Sequence, residues 1–344
     1  MFGLLRKNYI LVDEQRDANK IHNRGGFGKP LKKGRLKLDL VEGAFLAENG
    51  KLRVLCDDKE TSFHELFDKL ISEDPRFEHR YMVYRDLKRR GYRVECTSDD
   101  ENIDFVVSMK EKNGKTFVSA KAEREEFNIK PLLSLCHSIY NEWDRLWIAI
   151  ADEEGDVTYY GISTVEPKGN VGKTMDEKGK GVLIKNHVFV PDKRFAHILL
   201  TSEFFGKPFA KGLQLSLTES IYLVEKEILD VEHHGKLISS KRLKNLAKQQ
   251  QPDVEKRYRV YKDLKHRGLS VKTGFKFGTH FRAYEKDPHK THAEYLIDVI
   301  DRNFSTGWSL ISRGVRLAHS VRKIYTLAVL DNPIEYLVFK RVRP

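Results

Sequence analysis

The stretch RYMVYRDLKRRGYRV (residues 80–94) decides the fold, because it returns as RYRVYKDLKHRGLSV at residues 257–271. The two copies are identical at 10 of 15 positions and are offset by 177 residues. Further upstream, FGKPLKKG (27–34) matches FGKPFAKG (205–212) at an offset of 178. The offset of 177 also pairs Leu38 with Leu215, Leu40 with Leu217, Phe45 with Tyr222, Leu52 with Leu229 and Leu66 with Leu243. A repeat of this length indicates a duplicated structural unit, so we predict two homologous halves.

The two halves are separated by PKGNVGKTMDEKGKG (167–181), which is rich in Gly and Lys and almost free of apolar residues. Such a composition is typical of an exposed linker. Each half also divides in two. The predicted segments are an N-terminal domain (1–75), a C-terminal domain (76–166), the linker (167–181), a second N-terminal domain (182–252) and a second C-terminal domain (253–344).

Apolar spacing predicts the elements of these domains. In FHELFDKLI (63–71) the apolar residues follow helical spacing, and RYxVYxDLKxRG forms a further helix that buries Tyr81, Tyr84 and Leu87 and stops near Gly91. In the second half, HAEYLIDVI (292–300), IYTLAVL (324–330) and EYLVFKRV (335–342) are predicted strands.

The helix SLISRGVRLAHSVR (309–322) stands between the first two of these strands, and we predict a buried stripe of Leu310, Gly314, Leu317 and Val321. Together the elements predict an α/β (α+β) fold. Each repeat combines a small mixed N-terminal domain with a C-terminal α/β domain around a mixed sheet.

Composition narrows the class of protein. The chain has 344 residues, of which 40% are hydrophobic and 33% are charged. Its longest apolar run, residues 146–151, is too short to cross a bilayer, and the N-terminus lacks the pattern of a secretory signal. We therefore expect a soluble, cytoplasmic protein without a membrane partner.

Charge points to a polyanionic partner. The formal net charge is +12, which favours nucleic acid, although a basic surface that only confers solubility remains an alternative. The three cysteines, Cys56, Cys96 and Cys136, are isolated, which fits a reducing compartment and predicts neither a disulfide nor a metal site.

The second half carries FRAY (281–284), HAEYLID (292–298), VRLAHSVRK (315–323) and FKRVR (339–343) in that order. This order closely resembles the archaeal tRNA-splicing endonucleases, in their homodimeric tandem-repeat form. The resemblance implies cleavage of precursor tRNA at a bulge-helix-bulge, without metal or other cofactor, that leaves a 2′,3′-cyclic phosphate and a 5′-hydroxyl.

The resemblance also implies a catalytic trio of Tyr284, His292 and Lys323. The tyrosine would take the 2′-hydroxyl proton, the histidine would protonate the leaving 5′-oxygen, and the lysine would stabilise the charged phosphorane. Taken singly, these residues are an ordinary strand tyrosine, a surface histidine and a solvated lysine. Only their order in the sequence and the motifs around them indicate a catalytic role.

Two points about the histidine stay open. His289 lies three residues before His292, so the two histidines could be swapped in the catalytic assignment. We favour His292 because only Ala293 separates it from EYL (294–296). The pair is also a weak zinc pattern, but no third ligand stands at a suitable spacing. In the first half, alignment places Gly114 opposite His292 and Asp144 opposite Lys323, so that half is predicted to be an inactive structural partner.

Arg316 and Arg341 are the predicted RNA-binding residues. Arg316 lies seven residues before Lys323, near two helical turns, which predicts a common face. The resemblance implies that Arg316 and Arg341 clamp a bulge base between two guanidinium planes. The alternative is that both arginines contact phosphates.

The loop ADEEGDVTYY of the first half brings together Asp152, Glu153, Glu154 and Asp156 in an otherwise basic protein. Most charged turns are merely solvated. The resemblance implies that this loop docks into a basic cleft of a second subunit and so holds a homodimer together.

Two rival functions remain. A catalytically inert RNA-binding or assembly subunit would share the fold, but the intact trio argues against it. A metal-dependent restriction-type nuclease would need an acidic residue and a D/ExK element on adjacent strands. YLIDVIDR lacks the lysine, and VSAK has Ser119 where the acid belongs.

Overall fold

The computed structural model describes residues 1–97, 102–108, 114–139, 145–171 and 177–344. Within these residues, the N-terminal part of the first half contains β1 (Phe2–Arg6), β2 (Tyr9–Val12), α1 (Gln15–Gly25), β3 (Lys29–Pro30), β4 (Leu36–Leu38), α2 (Leu40–Glu48), β5 (Arg53–Cys56), β6 (Lys59–Thr61) and α3 (Phe63–Glu73). Its C-terminal part contains α4 (Phe77–Arg89), β7 (Arg93–Cys96), β8 (Phe105–Ser108), β9 (Lys115–Ala122), β10 (Glu126–Asn128), α5 (Ile129–Ser138), β11 (Arg145–Ala151) and β12 (Val157–Val165).

The second half repeats this order of elements almost without change. Its N-terminal part contains β13 (Gly179–Ile184), β14 (His187–Val190), α6 (Lys193–Ser202), β15 (Lys207–Phe209), β16 (Gly212–Ser216), α7 (Leu217–Glu225), β17 (Leu229–His233), β18 (Lys236–Ile238) and α8 (Ser240–Gln250). Its C-terminal part contains α9 (Val254–His266), β19 (Ser270–Thr273), β20 (Phe281–Tyr284), β21 (Tyr295–Asp301), β22 (Ser305–Gly307), α10 (Trp308–Ser320), β23 (Ile324–Leu330) and β24 (Glu335–Val342).

The two N-terminal domains have the same sheet. The strand order is β3-β4-β2-β1-β5-β6 in the first and β15-β16-β14-β13-β17-β18 in the second. In each, one parallel pair, β1 with β5 or β13 with β17, lies among antiparallel neighbours. The predicted duplication and the mixed α/β fold are therefore confirmed.

A buried glutamate organises each N-terminal domain. Asp39 caps α2 while Glu42 accepts hydrogen bonds from the main-chain N–H groups of Asp39 (2.8 Å) and Gly28 (2.9 Å). In the second half, Glu219 accepts from the N–H of Ser216 and the N–H of Gly206, both at 2.9 Å. The glutamate thus joins the start of a helix to a distant glycine turn.

The C-terminal domains also share one topology, with strand orders β7-β8-β9-β11-β12 and β19-β20-β21-β23-β24. The inner strands are parallel, β9 with β11 and β21 with β23, whereas β8 and β20 are antiparallel to their neighbours. The helices α4 and α9, which carry the repeated RYxVYxDLKxRG motif, each pack on one face of the sheet of their own half. Tyr81, Tyr84 and Leu87 of α4 are all buried, as predicted, and Gly91 ends the helix at a φ of 86°.

The predicted buried stripe of α10 is wrong at its two leucines. The helix begins at Trp308, and its buried residues are Trp308, Ile311, Ser312, Val315 and Ala318. Leu310 and Leu317 are 45% and 41% exposed. The prediction followed the leucines, but the sheet is covered by the adjacent stripe, about one residue further round the helix.

The predicted linker is not fully exposed. Gly169 and Val171 donate main-chain hydrogen bonds of 2.9 and 2.7 Å to the carbonyls of Arg267 and Gly268, and Val171 is buried. Asn170 donates to the carbonyl of Glu285 at 3.0 Å. This backbone pairing is invisible in the side-chain composition. The last residues of the predicted linker already belong to β13, and residues 172–176 lie outside the described residues.

The chain folds into two compact units. One comprises Met1–Ser163, Ser305–Arg313 and Phe339–Pro344, and the other comprises Thr164–Phe304 and Gly314–Val338. Within the first unit, β10 pairs with β22, so this unit includes short segments that belong to the second half of the sequence. Among the described residues, no helix has the length and apolar character needed to cross a membrane.

Candidate active site

The register of three strands aligns two members of the predicted trio. Ala283 of β20 pairs with Tyr295 of β21, and Tyr295 pairs with Ile324 of β23. Glu294 comes one residue before this row of pairs on β21, and Lys323 comes one residue before it on β23. Tyr284 comes one residue after it on β20. Because neighbouring strands lie about 4.8 Å apart, the Cα atoms of Tyr284 and Lys323 are about 10 Å apart, with Glu294 between them.

Tyr284 ends β20 on the face of the sheet away from α9. Phe281 and Ala283 belong to the core that packs against α9, so alternation directs Arg282 and Tyr284 to the opposite face. Tyr284 is 7% exposed, and the Arg282 guanidinium carbon lies 5.8 Å from its ring centroid. A cation therefore stands beside the candidate base.

The helix α10 covers part of the same face of the sheet. A Cβ atom on Gly314 would lie 2.7 Å from the ring of Tyr325, so this position has no room for a larger residue. The Tyr325 hydroxyl donates a hydrogen bond of 2.9 Å to Asp298 of the neighbouring strand. The close approach of helix and sheet positions the segment that follows α10, which carries Lys323.

Lys323 lies beyond the end of α10. The helix ends at Ser320, and Arg322 adopts a left-handed φ of 56° that turns the chain towards β23. The Lys323 ammonium donates to the Val321 carbonyl at 3.2 Å and lies 5.5 Å from the ring centroid of Phe277. Because Lys323 lies beyond the helix, the helical spacing that predicts a common face with Arg316 does not extend to it.

The two histidines differ in their surroundings. The N–H of His289 donates to the Asp287 carboxylate at 2.8 Å, and its ring contacts the ring of Phe204 at 5.4 Å between centroids. Both histidines are exposed, but His292 lies just before β21, two residues from Glu294. His289 therefore belongs to a closed turn, whereas His292 lies at the strand end that also carries Glu294.

Glu294 is a connecting residue that the sequence analysis missed. Its N–H donates to the Ala283 carbonyl at 3.1 Å, and its carbonyl accepts from the Ile324 N–H at 2.8 Å. Its carboxylate accepts from the Glu285 N–H at 2.9 Å. One residue thus contacts both chain neighbours of Tyr284 and the residue after Lys323. The only sequence signal was a carboxylate at the start of a strand.

Glu285 is held from a second side. Its carboxylate accepts a hydrogen bond of 2.7 Å from the Tyr295 hydroxyl. Burial, together with this hydrogen bond, raises the pKa of Tyr295, so the hydroxyl stays protonated and remains a donor. The main chain around Tyr284 is consequently fixed by Glu294, Tyr295 and the Asn170 N–H.

Arg316 and Arg341 are both exposed, the first on α10 and the second on β24. They belong to different compact units. Each guanidinium is accessible to a ligand.

The acidic loop is built around one of its own members. The Asp152 carboxylate accepts from the N–H groups of Glu154 and Asp156 at 3.1 and 2.9 Å, and Glu153 pairs with Arg124. Within the part of the chain that the structure describes, the carboxylates of Glu154 and Asp156 make no ion pair, and both residues are exposed. These two acids are the ones directed towards solvent or a partner.

The first half departs from the trio, and the register corrects one predicted equivalence. Ser108 pairs with Arg93 as Tyr284 pairs with Ser270, so Ser108 occupies the tyrosine position. Phe105 and Phe281 are then equivalent, and so are their partners Val118 and Ile297. Five residues before these equivalent positions, His292 corresponds to residue 113 and not to Gly114. The alignment made from the sequence was shifted by one residue, which assigned the side chains of β9 to the wrong faces of the sheet. Residue 113 and Asp144, the counterpart of Lys323, lie outside the described residues.

No group of three or more His, Cys, Asp and Glu side chains that could hold a metal ion occurs among the described residues. None of the three cysteines forms a disulfide.

Comparison with known proteins agrees with this domain structure. The model of the tRNA intron endonuclease catalytic C-terminal domain matches residues 77–159 and 254–336, and that of the N-terminal domain matches residues 1–67 and 179–244. The chain therefore belongs to the tRNA intron endonuclease family, and it is an RNA-cleaving enzyme.

Similar proteins cover the whole chain or one half of it. The tRNA-splicing endonuclease of Methanococcoides burtonii is 33% identical over 98% of both chains. That of Methanosarcina barkeri is 35% identical over 98% of this chain and 99% of its own. The tRNA-splicing endonuclease of Hyperthermus butylicus is 35% identical, and 99% of it aligns with 48% of this chain. The last protein has the length of a single repeat.

Proposed function

We propose that the chain excises introns from precursor tRNA by cutting at bulge-helix-bulge splice sites, and that it leaves 2′,3′-cyclic phosphate and 5′-hydroxyl ends. The observation that carries this proposal is the row of Tyr284, Glu294 and Lys323 across three adjacent strands, with His292 two residues upstream of Glu294. The names of the relatives support precursor tRNA as the substrate.

The proposed chemistry is an internal transfer at phosphorus. The substrate 2′-oxygen attacks the phosphorus atom while Tyr284, as its phenolate, takes the 2′-hydroxyl proton. The bond from phosphorus to the 5′-oxygen breaks, and His292 in its protonated form gives a proton to that leaving oxygen. The Lys323 ammonium stabilises the negative charge on the pentavalent intermediate. The guanidinium carbon of Arg282 lies 5.8 Å from the centroid of the Tyr284 ring, so a second cation stands beside the reacting groups.

We assign the acid to His292 rather than His289. The ring of His289 is packed against Phe204, and its main chain is tied to Asp287. His292 is exposed beside the strand end that carries Glu294. His289 is exposed as well, so the assignment rests on the position of His292 beside the row of Tyr284, Glu294 and Lys323.

The proposal extends to the substrate and the assembly. Arg316 and Arg341 clamp a bulge base, since exposed guanidinium groups stack well on unpaired bases. The chain acts as a homodimer, because the two scissile bonds of a bulge-helix-bulge need two sites and each chain carries one trio. The loop of Asp152, Glu153, Glu154 and Asp156 docks on the partner.

We further propose that catalysis belongs to the domain 253–344, supported by the N-terminal domains 1–75 and 182–252 and the inactive domain 76–166. None of the three cysteines forms a disulfide, which is consistent with the cytoplasm, where precursor tRNA is processed. The rival proposal is an inert RNA-binding subunit. In that case, substitution of the trio would leave the function of the protein unchanged.

The test is single-turnover cleavage of an intron-containing precursor by Tyr284→Phe, His292→Ala and Lys323→Ala, with His289→Ala as the matched control. We expect the first three to lose cleavage by at least about 100-fold while they still bind RNA, because acid–base groups each contribute about that factor. The control should cleave normally. Wild-type rates in any of the three would contradict the assignment of that residue.

A further inference from the structure

Two phenylalanines form a turn beside Lys323. The segment GFKFG (274–278) joins β19 to β20 and contains a short 3-10 helix, Phe275–Phe277. The ring of Phe277 lies 5.5 Å from the Lys323 ammonium. Because two residues span at most about 7 Å of chain, Phe275 lies near the candidate active site as well.

Hydrogen bonds hold this turn in one conformation. Gly274 accepts from the Phe277 N–H at 2.7 Å and donates to the His280 carbonyl at 3.0 Å. The Phe275 N–H donates to the Thr273 hydroxyl at 3.3 Å, and the Gly278 N–H donates to the Phe275 carbonyl at 3.0 Å. The main chain that carries the Phe275 ring is therefore fixed, so that less conformational entropy is lost when the ring binds a ligand.

The Phe275 side chain is 87% exposed, more than any other large hydrophobic residue identified as exposed in the described chain. It therefore contributes almost nothing to the core. Its surroundings are basic, with Lys276 beside it and Lys323 next to Phe277. An apolar ring in a basic setting is poorly suited to a purely apolar partner and well suited to a nucleic acid.

The feature is confined to the half that carries the trio. The corresponding segment of the first half, residues 97–104, reads TSDDENID. It contains no aromatic residue and several acids. Since a structural need of the fold would apply to both halves, the aromatic turn serves something that only the second half does.

We propose that Phe275 is a stacking platform for an unpaired RNA base next to the scissile phosphate. The inference rests on the proposed function and adds a substrate contact distinct from the two arginines. Unpaired bases are commonly recognised by stacking on aromatic side chains, while nearby lysines attract the phosphates. Phe277 has a separate role, since its ring contacts the ammonium of Lys323.

The experiment compares Phe275→Ala and Phe275→Trp with wild type in single-turnover cleavage of a bulge-helix-bulge RNA. Phe209→Ala is the matched control, because Phe209 is also exposed, at 58%, but lies on β15 of the N-terminal domain. Loss of one stacked base corresponds to about tenfold in the half-saturating enzyme concentration. We expect that loss in Phe275→Ala, a normal value in Phe275→Trp and no change in the control.

Substrates with a single abasic bulge nucleotide locate the stacked base. At that nucleotide, Phe275→Ala should no longer weaken binding, because the contact is already absent. Equal half-saturating concentrations for wild type and Phe275→Ala on intact RNA would overturn the platform. So would a change in the oligomeric mass of RNA-free Phe275→Ala by light scattering, since a second copy of the chain would then cover the ring. If wild type itself failed to cleave, the proposed function would be at fault rather than the platform.

Discussion

The carboxylate of Glu294 accepts a hydrogen bond of 2.9 Å from the main-chain N–H of Glu285, the residue that follows Tyr284. The Glu294 N–H donates to Ala283, the residue that precedes Tyr284, and its carbonyl accepts from Ile324, the neighbour of Lys323. Glu294 is therefore in a position to set the distance between the candidate base and the candidate cation.

Glu294→Ala removes the side-chain bond and leaves both main-chain bonds. We expect kcat to fall by about 10- to 100-fold with little change in KM, because small misplacements of catalytic groups have effects of that size. Glu294→Gln should retain most of the activity, since its amide oxygen can still accept from the Glu285 N–H. The check is steady-state cleavage of a precursor RNA, with Glu255→Ala on α9 as a control. An equal loss in the Ala and Gln variants would mean that charge, not positioning, is responsible.

The arginine clamp predicts a binding defect. Arg316→Ala and Arg341→Ala should each weaken productive binding of the bulge by about tenfold, because a stacked base contributes about 1 to 3 kcal/mol. The rate at saturating enzyme should change little. Lys340→Ala removes the same charge from the opposite face of β24 and is the matched control. Unchanged kinetics in both single variants and the double variant would refute the clamp.

The duplicated glutamates predict opposite responses to pH. Burial raises the pKa of Glu42 from 4.5 to about 7, despite hydrogen bonds from Gly28 and Asp39. Burial also acts to raise the pKa of Glu219, but Lys272, at 3.4 Å, and the hydrogen bonds outweigh it and lower that pKa. At the offset of 177, Lys272 corresponds to Glu95, so Glu42 has no such partner on β7.

The direction of each pH effect follows from the linkage between proton binding and folding. The stability that protonated Glu42 contributes is fully present below about pH 4.5 and is lost as the pH rises through about 7. Relative to wild type, Glu42→Gln should therefore gain stability by roughly 2 kcal/mol between pH 5 and pH 8. Glu219→Gln should be less stable than wild type by a constant amount over that range, and the difference should shrink only below about pH 4.5, because a glutamate with a lowered pKa stabilises in its ionised form. Hydrogen exchange of α2 and α7 amides measures both, and parallel behaviour of the two variants would contradict the prediction.

The acidic loop predicts a division of labour among its acids. Replacing Glu154 and Asp156 by Ser should weaken the proposed homodimer, whereas Asp152→Asn should act by loosening the hairpin, because Asp152 binds the loop main chain. Added salt should weaken the wild-type dimer more than the Glu154/Asp156 variant, since screening removes only charge that is present. Light scattering and cleavage rates measure the effect. A dimer unaffected by the double substitution would contradict docking through these acids.

Much of the fold could be predicted from the sequence because the residues that both copies retain are those that the fold requires. The repeat helix keeps Tyr81, Tyr84 and Leu87, whose burial both halves require. Where only one copy carries an informative pattern, the prediction failed. On α10 the apolar residues form two adjacent stripes, and periodicity cannot tell which stripe faces the sheet.

Other features depend on the backbone, which side-chain patterns do not report. The pairing of Gly169 with Arg267 and the register that places position 113 opposite His292 are of this kind. Glu294 was missed for a similar reason, since its role arises from three hydrogen bonds to residues distant in sequence. The candidate trio itself came from resemblance, and the fold then aligned Tyr284 with Lys323.

The central claim is metal-independent acid–base cleavage at the trio, and end-group analysis of products formed in excess EDTA tests it most directly. Wild-type enzyme and an intron-containing precursor should give 2′,3′-cyclic phosphate and 5′-hydroxyl ends at the same rate with EDTA as without it. Attack by the neighbouring 2′-oxygen yields only those ends. Loss of cleavage in EDTA that Mg²⁺ restores, or products with 5′-phosphate ends, would contradict the account.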